Sequence, residues 1–150
     1  MEKKFELTDN FIINAFGVKL FQIKCTKSFK YAKEGDLGGY VEKDENLDQE
    51  SDAWVSGNAR VYGDARVYGN ADIENDNNHC GFDCFGSCNR HTHAYLTKDN
   101  KVEITCGCFR GSIEEFEKEV EKTHSGKIYE KQYKAIINVI KIKFGLTDLI

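Results

Sequence analysis

Thiol and imidazole side chains are concentrated in one stretch of this 150-residue chain. Cys80, Cys84, Cys88, Cys106 and Cys108 fall together with His79, His91 and His93, while Cys25 stands apart. Thiolate sulfur and imidazole nitrogen are the donors that hold zinc. The run His79–His91 has C-x3-C-x3-C-x2-H spacing and little periodic apolar content. A segment of that kind buries too little to order itself, and a bound metal would supply the missing folding energy. Cys80, Cys84, Cys88 and His91 would give three thiolates and an imidazole, a closed tetrahedral zinc centre with no open position for water. Such a site is structural, so this reading is not of an enzyme. The double C-x2-C knuckle of many zinc sites is absent. Buried thiols with surface imidazoles, an iron-sulfur cluster and a disulfide are the competing accounts.

A second donor set competes with the first. Residues 94–97 and 102–105 read as two strands of a hairpin around Lys98-Asp99-Asn100-Lys101. With Asp99 and Asn100 at the tip, His93 opposes Cys106 and His91 opposes Cys108. All four then share one face, with cross-strand neighbours about 5 Å apart. A slip of one residue would change that pairing. Cys108 with His124 is the remaining chemical pair, a thiol that an imidazole could activate, though no acid to orient the histidine is evident.

The elements that must carry these residues begin with a repeat. From Asn46 the chain reads in sixes as NLDQES, DAWVSG, NARVYG, DARVYG, NADIEN. Position two is Leu47, Ala53, Ala59, Ala65 and Ala71; position four is Gln49, Val55, Val61, Val67 and Ile73. A period of six is too short for a helical repeat and matches one side of a β-helix coil. The alanines and the valines or isoleucine point inward, and Gly with Asn or Asp makes the turns. The stretch amounts to fewer than two coils and needs capping at both ends. No histidine lies between Asn46 and Asp76, which argues against the acyl transfer that many hexapeptide β-helices perform. Arg60 and Arg66 at position three, with Tyr62 and Tyr68 at position five, make an outward row that suits a protein partner, a self-association face or ordinary cross-coil stacking equally.

Ahead of the repeat, Phe11–Cys25 alternates around Gly17 and predicts a hairpin, and 35–40 reads as a loop leading into the coils. Behind it, Ser112-Ile113-Glu114-Glu115 is a capping box. Ile113, Phe116 and Val120 share a helical face ahead of Ser125-Gly126, and a second helix carries Tyr129, Tyr133, Ile136, Ile137 and Ile140. The expected class is therefore α+β in one domain, 1–150. Its parts are an N-terminal hairpin and loop (1–45), a short hexapeptide-repeat β-helix (46–76), a Cys/His-rich metal-binding segment with a β-hairpin (77–111), and two C-terminal helices (112–150).

Charge is unevenly spread. Between Glu34 and Asp76 twelve acids face three bases, a net −9, leaving +5 for the remainder of a chain whose total is −4. An acidic face repels nucleic acid and attracts basic protein surfaces. Nothing at the start has the apolar run of a signal peptide, and the apolar stretch 135–144 is too short to span a membrane. The expectation is a protein that stays in a reducing cytosol.

The tandem V-Y-G-[ND]-A-R hexads (Val61–Arg66, Val67–Asn70) are followed by Thr97-Lys98-Asp99-Asn100-Lys101. Cys106-Gly107-Cys108-Phe109 and Ser112-Ile113-Glu114-Glu115-Phe116 complete a pattern that resembles phage and prophage proteins over roughly two thirds of the chain. With the added ligands from His79 to His93, it resembles the zinc-containing anti-CRISPR proteins of the type II-A class. The resemblance implies an inhibitor that binds a type II-A Cas effector nuclease in the bacterial cytoplasm and prevents target DNA from loading. The effector would be met as protein or ribonucleoprotein, with no direct DNA contact and no membrane. The acids Asp44, Glu45, Asp48 and Glu50 are the expected contact residues, since such a nuclease holds DNA in a positively charged channel. The class-different alternatives are a structural or assembly protein and a thiol-dependent enzyme.

Overall fold

The computed structural model describes residues 2–146. The chain opens with an antiparallel hairpin, β1 (Phe5–Ile13) and β2 (Lys19–Cys25), which turns through Gly17 as its sequence predicts. Phe5, Leu20, Ile23 and Cys25 are buried, while Phe11, Ile13 and Phe16, on the tip half, are exposed.

The stretch read as a loop is instead a third strand. β3 (Leu37–Val41) pairs antiparallel with β2, Phe21 facing Val41. Its two glycines answer a close approach: a Cβ on Gly38 would stand 2.6 Å from the Val55 carbonyl oxygen, and one on Gly39 2.8 Å from that of Ala59.

The repeat buries the positions its period selects. Ala53, Ala59, Ala65 and Ala71 are all buried, as are Val55, Val61, Val67 and Ile73. A turn recurs in each unit, with Ala59, Ala65 and Ala71 amides donating to the carbonyls of Ser56, Tyr62 and Tyr68. Asn46 ties the first unit to the third and fourth, its side-chain amide donating to the carbonyls of Gly63 (3.1 Å) and Ala65 (2.8 Å).

These units do not close into a β-helix or solenoid, contrary to the expectation from the period. The strands β4 (Trp54–Val55), β5 (Arg60–Val61) and β6 (Asp72–Ile73) are two residues each. β5 joins the first sheet beside β3, β4 pairs with β6 in a separate two-stranded sheet, and Leu47 bridges Val67 alone. Each parallel pairing is made once, because a stretch of fewer than two coils has no further turn to stack on. The N-terminal hairpin supplies the remaining wall: Phe5, Ile23 and Cys25 share one core with the repeat residues and Tyr95.

The second sheet is antiparallel, in the order β10-β9-β8-β7, from β7 (His79–Phe85), β8 (Arg90–Leu96), β9 (Val102–Cys106) and β10 (Phe109–Ser112). Helices α1 (Ile113–His124) and α2 (Ile128–Lys143) cover its other side, and Ile113, Phe116, Val120, Tyr133, Ile136, Ile137 and Ile140 pack on Ala94, Ile104 and Cys106. The capping box forms as its sequence predicts: the Glu115 amide donates to Ser112 Oγ (3.1 Å), and the Ser112 amide to Glu115 Oε1 (3.0 Å). Among the described residues no helix is long and apolar enough to cross a membrane.

Candidate functional site

Strand alternation gives β8 two chemically different faces. Its even-numbered residues look toward the helices. There Thr92 Oγ1 donates to Cys106 Sγ (3.3 Å), and that thiol reaches the Tyr133 hydroxyl (3.7 Å). Cys80 packs on the same side, where burial pushes its thiol up. The odd-numbered residues His91, His93 and Tyr95 look toward the repeat, opposite His79 and Gly81 of β7, which pair with Tyr95 and His93.

This division overturns the metal-binding segment. Cys80 lies on the face opposite His91. Cys84, in left-handed backbone at φ +69, is exposed where the β7–β8 register shifts, and Cys88 is exposed in the following turn. Nor does the hairpin alternative form: the register pairs Thr92 with Cys106 and His93 with Thr105, one residue from the expected one. Cys80 and Cys106 are thereby sent to the face opposite His91 and His93. Among the described residues no group of three or more His, Cys, Asp or Glu side chains is placed to hold a metal ion, and Cys80, Cys84, Cys88 and His91 are not brought together. The segment is ordered by backbone pairing with β8 and by Cys80 and Phe82 packing toward the helices.

The histidines bond carboxylates and one another instead. His79 Nε2 lies 3.1 Å from Asp76 Oδ1, and His79 Nδ1 lies 2.9 Å from His93 Nε2. Burial alone would raise the Asp76 carboxyl, but the His79 hydrogen bond and the Arg60 backbone amide hold it below its ordinary value, so it is ionised and only accepts. His79 Nε2 therefore donates to Asp76, and the direction of the His79–His93 bond depends on the tautomers of the two rings. Burial, with His79 and His91 beside it, drives the His93 pKa well below the ordinary histidine value. The chain Asp76–His79–His93 ends at His93 Nδ1, which has no hydrogen-bond partner. His91 repeats the pattern, with Nδ1 on Asp83 and Nε2 unpartnered.

These groups line a cleft of ≈ 370 Å³ roofed by Asn14, Ala15 and Phe16 of the β1–β2 tip, with Arg60 and Tyr62 at its side. Chemically it offers two buried, unpartnered imidazole nitrogens and a hydrogen-bonded route from His93 through His79 to the surface carboxylate of Asp76. Sequence reading had singled out the histidines but not Asp76 or Asp83. The available signals were Asp76-x-x-His79 and the odd-numbered series 79, 81, 83 across from 91, 93, 95.

The predicted contact acids do come near one another. Asp44 and Glu45 share a 3-10 turn, Asp44–Asn46, and Glu45, Asp48 and Glu50 line one shallow surface groove with Glu2, where Lys3 and Arg66 are the two basic groups. Asp44 pairs with Lys3 at 3.2 Å. Cys108 and His124 line a common groove of ≈ 250 Å³ with Cys88 and Arg90, but the His124 ring is stacked on Tyr133 at 5.6 Å. No known protein family, curated protein or solved structure matches the chain.

Proposed function

We propose that the chain acts by binding, as a phage-encoded inhibitor that engages a type II-A Cas effector nuclease through an acidic surface and keeps target DNA from loading. The observation that carries this reading is the convergence of Glu45, Asp48 and Glu50 with Glu2 around one groove, beside Asp44. A DNA channel in such a nuclease is positively charged, and a compact carboxylate surface competes for it. Support also comes from the β1–β2 tip, where Phe16 is 82% exposed and gives a partner an aromatic anchor.

Guided DNA cleavage by a type II-A effector, titrated with the purified chain, tests the proposal. Loss of cleavage at near-stoichiometric protein supports it. Full cleavage at large excess across several type II-A effectors removes it, leaving a structural or assembly role. The thiol-enzyme reading is favoured by one observation, the groove that Cys108 and His124 share. With Tyr133 covering the imidazole, Cys108→Ser should leave nuclease inhibition unchanged.

A further inference from the structure

A second groove carries the opposite charge. It lies where the repeat meets the start of β8 and the β9–β10 turn, has a volume of ≈ 620 Å³, and is lined by Arg66, Arg90 and Arg110 with Tyr68 and Asn89. Against the three guanidinium groups stands one lining carboxylate, Asp64. Three elements distant in sequence thus bring cations together on a chain whose net charge is −4.

Two of the three guanidinium groups, those of Arg110 and Arg90, are positioned by something other than a ligand. Arg110 Nε donates to Glu103 Oε1 at 3.0 Å, and its guanidinium lies 5.0 Å from the centre of the Tyr68 ring, which fixes the plane and leaves terminal N–H groups over. Arg90 is seated on Gly107, where a Cβ would stand 1.8 Å from Nη1, and its guanidinium lies beside Cys88. Arg66 projects outward from the repeat. Neither Arg66 nor Arg90 pairs with a carboxylate among the described residues. Positioned guanidinium groups present parallel N–H donors that match the oxygens of a phosphate, and a concave wall concentrates their field. The volume is that of a site for a small organic ligand.

We propose that this groove binds a phosphate-bearing ligand, with Arg66, Arg90 and Arg110 donating to its oxyanion. Such a group belongs either to a free nucleotide or to a nucleic-acid strand, and the test separates the two. The proposal does not rest on nuclease inhibition, because binding is read on the chain alone.

Pyrophosphate and ATP are titrated by calorimetry, and a short labelled single-stranded uridine RNA by fluorescence anisotropy, all at low salt. Binding of at least one probe is expected, weakened about tenfold by Arg66→Ala and by Arg90→Ala, as removal of one charge-assisted contact does. Arg90→Lys should weaken it less. Binding of ATP or pyrophosphate without RNA assigns a free nucleotide; binding of RNA alone assigns a strand. Reversal of Asp44, Glu45, Asp48 and Glu50 should not weaken either. Thermal melts accompany each variant, and should Arg90→Ala lower the melting temperature, Arg66→Ala decides. Absence of binding by all three probes, or binding that both alanine variants leave intact, overturns the proposal.

Discussion

Lys4 is 5% exposed, and its ammonium donates to the carbonyl oxygens of Ser51 (2.7 Å) and Ala53 while lying 4.8 Å from the centre of the Phe29 ring. Burial is the main force on it; Asp48 and Asp52 oppose that only in part, and its pKa falls from 10.5 to about 8. A base with a depressed folded pKa binds fewer protons folded than unfolded between those two values. Stability should therefore rise as pH goes from about 8 to 10.5, by about 2–3 kcal/mol for this group. The measurement is urea unfolding across that window, read as wild type minus Lys4→Met so that other groups cancel. A flat or falling difference would show that Lys4 keeps its proton. The thiols offer a second test at this scale. Cys88 is exposed, and the Ser87 hydroxyl and the Arg90 guanidinium lower its pKa; Cys25 is buried and raised by that burial; Cys106 is buried against Tyr133. Alkylation of the folded chain near neutral pH should modify Cys88 first and Cys25 and Cys106 last. Should Cys80, Cys84 and Cys88 react only after a chelator is added, a metal on those residues would have to be restored to the account.

Elements differ in how far their residues announce them. α1 is legible because its signals are local: Ser112 and Glu115 cap one another within four positions, and Ile113, Phe116 and Val120 recur at helical spacing. Ser112→Ala should cost about 1 kcal/mol in a chemical melt, with Ser112→Asp retaining most of it; equal stability of all three would show that packing alone holds the helix end. The inward residues of the repeat are legible for a similar reason, since a six-residue period repeats one local turn. Closure into coils is not, because it depends on whether a further turn exists to pair with, which no single unit encodes. β3 was hidden because Gly38 and Gly39 look like loop residues until the backbone of Val55 and Ala59 is brought against them. The hairpin was placed correctly between Leu96 and Val102, yet one residue of register separates His93 from Cys106, and that slip turns a shared face into opposite faces. The candidate site failed to show for the same cause, since Asp76, His79 and His93 meet only after β7 and β8 have paired.

The whole molecule is two cores meeting at β8, whose Tyr95 belongs to the repeat core and whose Ala94 belongs to the helical one. Charge follows a different division: Glu2, Glu45, Asp48 and Glu50 share one groove with Lys3, while Arg90 and Arg110 face another, and Arg66 with Tyr68 lies on the boundary of both. An inhibitor working through the acidic side should thus behave as a salt-sensitive ligand for a basic surface. Carboxylates on an exposed face are screened over about 8 Å at physiological ionic strength and over shorter distances in stronger salt. Inhibition of guided cleavage should weaken as salt is raised toward the limit the nuclease itself tolerates. Conversion of Asp44, Glu45, Asp48 and Glu50 to lysine should weaken it at low salt by at least about tenfold and flatten the salt dependence, because the attraction has become repulsion. The melting temperature controls for folding, since Asp44 has an ion pair with Lys3 to lose, worth at most about 1 kcal/mol at an exposed position. Undiminished inhibition by a folded charge-reversed chain would move the contact away from these acids and toward the exposed hairpin tip, where Phe16→Ala would then be the decisive variant.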